Sequence, residues 1–267
     1  MHIYQLTIID KKLKEAIAKF SLLPINTSIF DAGLFEQLLH DSRVLIKTYI
    51  SLLKLLQILP EQNQYYKGHF LIKHTATGVE ADGEIHPDYL TAIQNLVLPH
   101  LLSRTSDRKQ ILPIHIHFTT SKEVYLFSGI SLLKQDESTM YSLLHEMSMP
   151  INHISYTSHS RCNYLLSIIY AIEYNERQSI HNLYPIYNIS YRQFRKDCKI
   201  CLGTTFHNFY IKMKMLDVLN DIMLTNLSLK EIAHKNNFSS YIAMYQLFKR
   251  KYNFPLNIIP RILIGSN

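Results

Sequence analysis

Two segments near the end of the chain carry the same order of apolar, turn and basic residues, and few folds are open to a chain built that way. The first is Leu183-Tyr184, Asn188-Ile189-Ser190, Phe194, Cys198-Lys199 and Gly203. The second is Ile232-Ala233, Asn237-Phe238-Ser239, Met244, Phe248-Lys249 and Asn253. The two align with a single inserted residue. Each copy holds an apolar helix, a turn residue that tolerates left-handed backbone, a Ser to start the next helix, and a basic residue on that helix. That is the sequence form of a helix-turn-helix, written twice.

Charge separates the chain at the same place. Residues 161–267 hold 14 Lys/Arg against 6 Asp/Glu, whereas residues 1–160 hold 14 against 15. All of the net +7 therefore comes from the segment with the repeat. A basic domain neutralises phosphates and releases counterions, so nucleic acid is the first partner implied. The division predicts residues 1–158 as a regulatory, partner-binding or dimerisation domain and 159–264 as a DNA-binding domain.

Within the second half, Tyr164, Leu165, Ile168, Ile169 and Ile172 form one apolar stripe, which predicts an amphipathic helix over about 161–174. The first motif spans about 180–202. Its leading helix, near 179–187, contains Pro185, where a lost N–H bond would cost ~3 kcal/mol. Asn188 makes the turn. Ser190 caps the recognition helix, and Gly203 ends it. That helix exposes Tyr191, Arg192, Arg195 and Lys196 toward bases and Lys199 toward phosphate, with Leu183, Phe194 and Cys198 turned inward. Thr204 or Thr205 starts a linker helix whose Phe206, Phe209, Met213, Leu216, Leu219 and Met223 make one buried stripe. The second motif, about 228–251, opens on Ser228 with Glu231 three residues on, a capping box. Ile232, Ala233, Phe238 and Phe248 form its core. Ser240, Tyr241, Tyr245 and Gln246 are its base-reading candidates; Ile242 is also exposed. Lys249, Arg250 and Lys251 are its phosphate contacts.

The first half reads as α+β. Leu13, Ala16, Ile17 and Phe20 lie on one helical face, and Leu34 to Leu59 is a second helical region. Gly68–Ala76, Ile111–Phe118 and Val124–Phe127 read as strands, with Thr119–Lys122 as a hairpin turn. Tyr89–Leu102 and Ser138–Met147 read as helices. Residues 1–160 contain five glycines, too few for the many tight turns of a jelly-roll barrel. His115 and His117 share a strand face and, with His153 or His159, suggest a metal. No cluster at ligand spacing supports one, so neither metal nor cofactor is expected. Cys198 and Cys201 match a CxxC pattern, but Cys198 stands where the second copy has Phe248, a core position.

At this point the segment from about 161 to 264 resembles the DNA-binding domain of AraC/XylS-type bacterial transcription regulators. The matching residues are Leu183, Ser190, Phe194, Lys199 and Gly203, then Ile232, Ala233, Phe238, Ser240, Phe248 and Lys249. Ser228 to Tyr252 is the family's most characteristic stretch. The resemblance implies two motifs on one all-α domain reading successive major-groove segments, joined by the linker helix. It implies a transcription activator acting with RNA polymerase. The chain departs from the pattern at Asn237 and Asn253, where the family has Gly. It departs also at Ala243-Met244, where an aromatic is lost, and at Pro255, one place early. A narrower likeness lies in Ser190-x-x-x-Phe194-Arg195-x-x-Cys198, which is similar to activators of type III secretion genes. Some of those need a secretion chaperone as co-activator, which would give residues 1–160 a protein partner.

Other classes fare worse. Some DNA-repair methyl acceptors join this domain to a reactive Cys, but residues 1–160 contain no cysteine. No nucleophile–base arrangement or phosphate-cradling loop appears, so an enzyme is not expected. A protein-binding regulator with a degenerate DNA domain is the alternative, and a homodimer is compatible with either. The start of the chain lacks the basic-then-apolar form of a signal peptide. Tyr49–Leu59, the longest apolar stretch, is too short to span a bilayer. Three cysteines fit a reducing cytoplasm.

Overall fold

A computed structural model describes residues 1–22, 32–60, 65–75, 78–82, 90–91, 95, 111–133, 140–156, 162–174 and 179–262. Helix α1 (Ile3–Phe20) starts from a capping box: the His2 ring accepts the Tyr4 N–H, and the His2 N–H donates to the Gln5 side chain at 3.1 Å. Leu13, Ala16, Ile17 and Phe20 are buried, and the stripe extends back through Ile9, Ile8, Leu6 and Tyr4. Helix α2 (Ala32–Leu55) ends short of Leu59, where Gln57 turns to φ +53°.

Five antiparallel strands follow: β1 (Tyr66–Thr75), β2 (Gly78–Asp82), β3 (Ile111–Thr119), β4 (Glu123–Leu133) and β5 (Met140–Pro150). They form one open sheet in the order β2-β1-β5-β4-β3. The three strands expected from the sequence are present, and the β3–β4 hairpin closes with the Thr120 N–H donating to the Glu123 carbonyl at 2.9 Å. The helix expected over Ser138–Met147 is not: from Met140 onward that stretch is β5, the centre of the sheet. Its side chains are buried on both faces, so it lacks the polar alternation that marks a strand, and pairing on both sides overrides local preference. The helix expected over Tyr89–Leu102 falls almost wholly outside the described residues.

Helices α1 and α2 cover one face of the sheet. Leu126, Ile130, Leu143 and Met147 meet them there. Phe70, Ile72, Leu112, Ile114, Phe127 and Leu144 form a separate apolar cluster on the other face. His115 and His117 do share a face, but His115 is occupied. Its Nδ1 bonds Ser128 Oγ at 2.7 Å and its Nε2 meets Asp10 at 2.8 Å. Among the described residues no group of three metal-ligating side chains exists.

The C-terminal half is all helical: α3 (Asn163–Tyr174), α4 (Ile180–Leu183), α5 (Tyr191–Leu202), α6 (Phe206–Leu224), α7 (Leu229–Lys235) and α8 (Tyr241–Gln246). The expected stripe of α6 is buried, but so is most of the opposite face from Met215 to Leu224. α1 and α2 supply the cover. Lys12, its side chain only 5 % exposed, bonds Asp217 at 2.9 Å, and the Tyr49 hydroxyl donates to the Leu216 carbonyl at 3.3 Å. One apolar core therefore runs from the sheet through α1 and α2 into the helical half. No described helix is long and apolar enough to cross a membrane.

Beneath α2, His145 of β5 is buried, its Nδ1 3.2 Å from the Tyr66 hydroxyl and its Nε2 3.5 Å from Ser42 Oγ. Burial, then the positive charges of His69, Arg43 and Lys47, push its pKa down to about 3. The unfolded chain takes up a proton near the ordinary value while the folded chain does not. Its contribution to stability is thus intact above pH 6.5 and is lost as pH falls from there toward 3. Chemical denaturation across that range should show a loss of up to about 1.4 kcal/mol per pH unit that His145→Gln removes. At Gly129, an added Cβ would overlap the Leu143 carbonyl oxygen of the neighbouring strand. Gly129→Ala should cost at least about 3 kcal/mol in the same assay, because backbone rather than a flexible side chain must give way.

Candidate nucleic-acid interface

The first helix pair solves its proline differently from the sequence expectation of one short helix. Ser179 caps α4, which stops at Leu183; Tyr184–Tyr187 then form a 3-10 turn with Pro185 near its start. There the proline breaks no α-helical bond, so its cost disappears. Asn188 follows in left-handed geometry, φ +55°, ψ +34°. Ser190 accepts the Gln193 N–H at 3.2 Å and starts α5; Gly203 ends it at φ +72°. The second pair repeats this. Ser228 and Glu231 complete their capping box, Asn237 turns at φ +52°, and Ser240 accepts the Ala243 N–H at 3.1 Å to start α8. A wider helical turn, Leu247–Lys251, continues it, and Asn253 closes it at φ +49°. Asn237 and Asn253 both hold a backbone that Gly takes more freely, and Asn tolerates it better than other side chains.

The inward residues are where the repeat requires them. Leu183, Phe194, Cys198, Ile232, Ala233 and Phe248 are buried, and Phe238 is half-buried under the second turn. Burial, followed by the nearby Asp197, pushes the Cys198 thiol up to about 12. Cys162, Cys198 and Cys201 are all buried and form no disulfide, so Cys198 and Cys201 pack as core rather than as reactive thiols.

The outward residues differ between the two pairs. On α5, Arg192, Arg195, Lys196 and Lys199 are exposed, and Tyr191 is exposed on one side while its ring lies 5.7 Å from Tyr184 and 5.6 Å from His181. The Arg195 guanidinium lies 5.9 Å over the Tyr191 ring, which steadies it on the outer face. On α8, Ser240 and Gln246 are exposed, but Tyr241 and Tyr245 are half-buried and packed on each other at 5.9 Å. Lys249 and Arg250 are exposed, with Lys249 5.6 Å over the Tyr245 ring. The side chain of Lys251 lies outside the described residues.

Three anchoring groups were not among the residues singled out from sequence. Asp197, on the inner face of α5, accepts from the Tyr164 hydroxyl at 2.7 Å and from Gln193 Nε2 at 2.6 Å, tying α5 to α3. Asp221, buried in α6, accepts from Lys235 at 2.7 Å and Asn236 at 2.8 Å, tying the second turn to the linker. Lys214 Nζ donates to the Asn237 carbonyl at 3.1 Å. Asp221 stands inside an apolar run of α6, and that is the signal that marks it; Asp197, between Lys196 and Cys198-Lys199, has no such signal.

Scans against protein-family models, curated proteins and solved structures find no match to this chain. The helix pairs thus rest on their own geometry: two capped units, each with a left-handed Asn turn, fixed to one buried helix. Asp221→Ala removes the Lys235 ammonium's carboxylate and one of the Asn236 amide's two acceptors, leaving the latter only the Ile232 carbonyl. It should cost about 2–3 kcal/mol and raise amide exchange over residues 229–246 ahead of residues 191–202.

Proposed function

We propose that the chain is a sequence-specific DNA-binding transcription regulator of the AraC/XylS type, an activator rather than a catalyst. Its two helix-turn-helix units would enter successive major-groove segments. The observation that carries this reading is the pair of Ser-capped helices, α5 and α8, whose inner faces are buried and whose outer faces carry Arg, Lys and Gln. The linker supports it. At 1.5 Å per residue, the 19 residues of α6 span about 28 Å, close to the ~34 Å repeat of the groove. Asp197 and Asp221 hold each unit to the core, so the two helices present themselves at a fixed separation.

In this reading Arg192, Arg195, Lys196 and Gln246 address base edges, with Tyr191, Ser240, Tyr241 and Tyr245 around them. Lys199, Lys249, Arg250 and Lys251 hold phosphates. The double-stranded DNA site brings RNA polymerase to the promoter. The sheet with α1 and α2 serves as the regulatory surface, for a co-activator such as a secretion chaperone, for an effector, or for a second copy in a homodimer.

Arg195→Ala should cost ~1–3 kcal/mol on the preferred duplex and little on random DNA, measured by fluorescence anisotropy at fixed salt. An equal loss on both assigns Arg195 to phosphate. If no duplex is preferred over any other, sequence-specific reading is refuted.

A further inference from the structure

The two outward helix faces carry different chemistry. α5 presents Arg192, Arg195 and Lys196. α8 carries no charged residue between Ser240 and Gln246; its cations begin only at Lys249. In their place stands Ile242, 63 % exposed, on a helix whose Met244 and Phe248 are fully buried. Gln246 follows one turn later, exposed and on the same face. A lone exposed isoleucine is ordinary on a protein surface. This one lies on the outer face of the second helix of a helix-turn-helix, one turn before a glutamine and ahead of Lys249 and Arg250. The major groove offers one apolar group, the C5-methyl of thymine, and glutamine pairs bidentately with adenine.

We propose that α8 selects A·T pairs, with Ile242 packed on a thymine methyl and Gln246 bonded to a neighbouring adenine, while α5 selects guanine through its arginines. The inference rests on the DNA-reading proposed above and adds which bases each unit accepts. The preferred site is therefore unequal in its halves. One segment contains guanine, and the other is limited to A and T where α8 enters. The two units are not interchangeable, and the protein has a fixed direction on its site.

The test uses the full chain. Selection from a random duplex pool yields the preferred sequence, and each of its thymines is then replaced in turn by deoxyuridine, which lacks only the methyl. One thymine, in the segment without guanine contacts, should show an about four-fold weaker affinity, the worth of one buried methyl-sized group. Ile242→Ala should bind the parent duplex more weakly and be indifferent to that replacement. Ile242→Val, which keeps a branched apolar end, should retain the response. Ile242 is exposed, so these variants leave the core intact, and the uracil series on the unaltered chain needs no variant. A preferred duplex whose affinity is unchanged by every uracil, or equally changed in Ile242→Ala, overturns this inference and leaves DNA reading standing. A pool from which no sequence emerges overturns both.

Discussion

The helix Phe206–Leu224 is apolar around most of its circumference, and that forces everything near it into place. A helix with one apolar stripe needs one neighbour; this one must be wrapped. The two helix pairs cover part of it, and α1 and α2 cover the rest, with Lys12 meeting the solvent-leaning Asp217 and Tyr49 bonding the Leu216 carbonyl. Its two buried polar side chains have distinct fates. Asp221 is fully used by Lys235 and Asn236. Asn220, beside it, is buried with its side chain against the Tyr49 hydroxyl.

That arrangement changes the meaning of a two-part charge map. Positive charge collects in residues 161–267, yet the core does not divide there. The isolated parallel bridge between His2 and Ser155, and the Tyr4 hydroxyl bonded to Asn163 at 2.5 Å, place the first residues of the chain beside the entry to the helical half. A surface signal received by α1 or α2 has only packed side chains to cross before it reaches the linker. Such contiguity is a physical route for coupling between the two halves.

Much of the helical half was legible because its punctuation is local. Ser190 and Ser228 cap helices, and Asn188 and Asn237 turn left-handed, each by its own chemistry; the second recognition helix starts from Ser240, one residue after the Ser239 that the repeat aligns with Ser190. The exposure of Arg192, Arg195, Lys196 and Gln246 follows from the burial of Phe194, Met244 and Phe248. What escaped depends on partners far away. β5 looks like a helix until β1 and β4 are placed on either side of it. The α6 pattern shows one stripe because the second is interrupted by Asp217, whose partner Lys12 is two hundred or so residues earlier. Tyr241 and Tyr245 read as free side chains, but their rings are partly absorbed by the core. Asp197 reads as a solvated charge until the groups that bond it are known.

The contact at the far end of α5 has a consequence for how the molecule is made. The Gln5 side chain donates to the Leu202 carbonyl at 3.0 Å, beside the Gly203 cap, across a sequence separation of 197 residues. α1 is synthesised 197 residues ahead of its seat on the helical half. At 5–20 residues per second, the ribosome delivers that seat roughly 10–40 s later. Part of the apolar stripe of α1 can settle meanwhile on β3 and β4, but the turns that meet α5 and α6 have nothing to bury against. Folding of the helical half is thereby tied to synthesis through residue 202, and a nascent protein stalled before α5 lacks both that helix and its clasp.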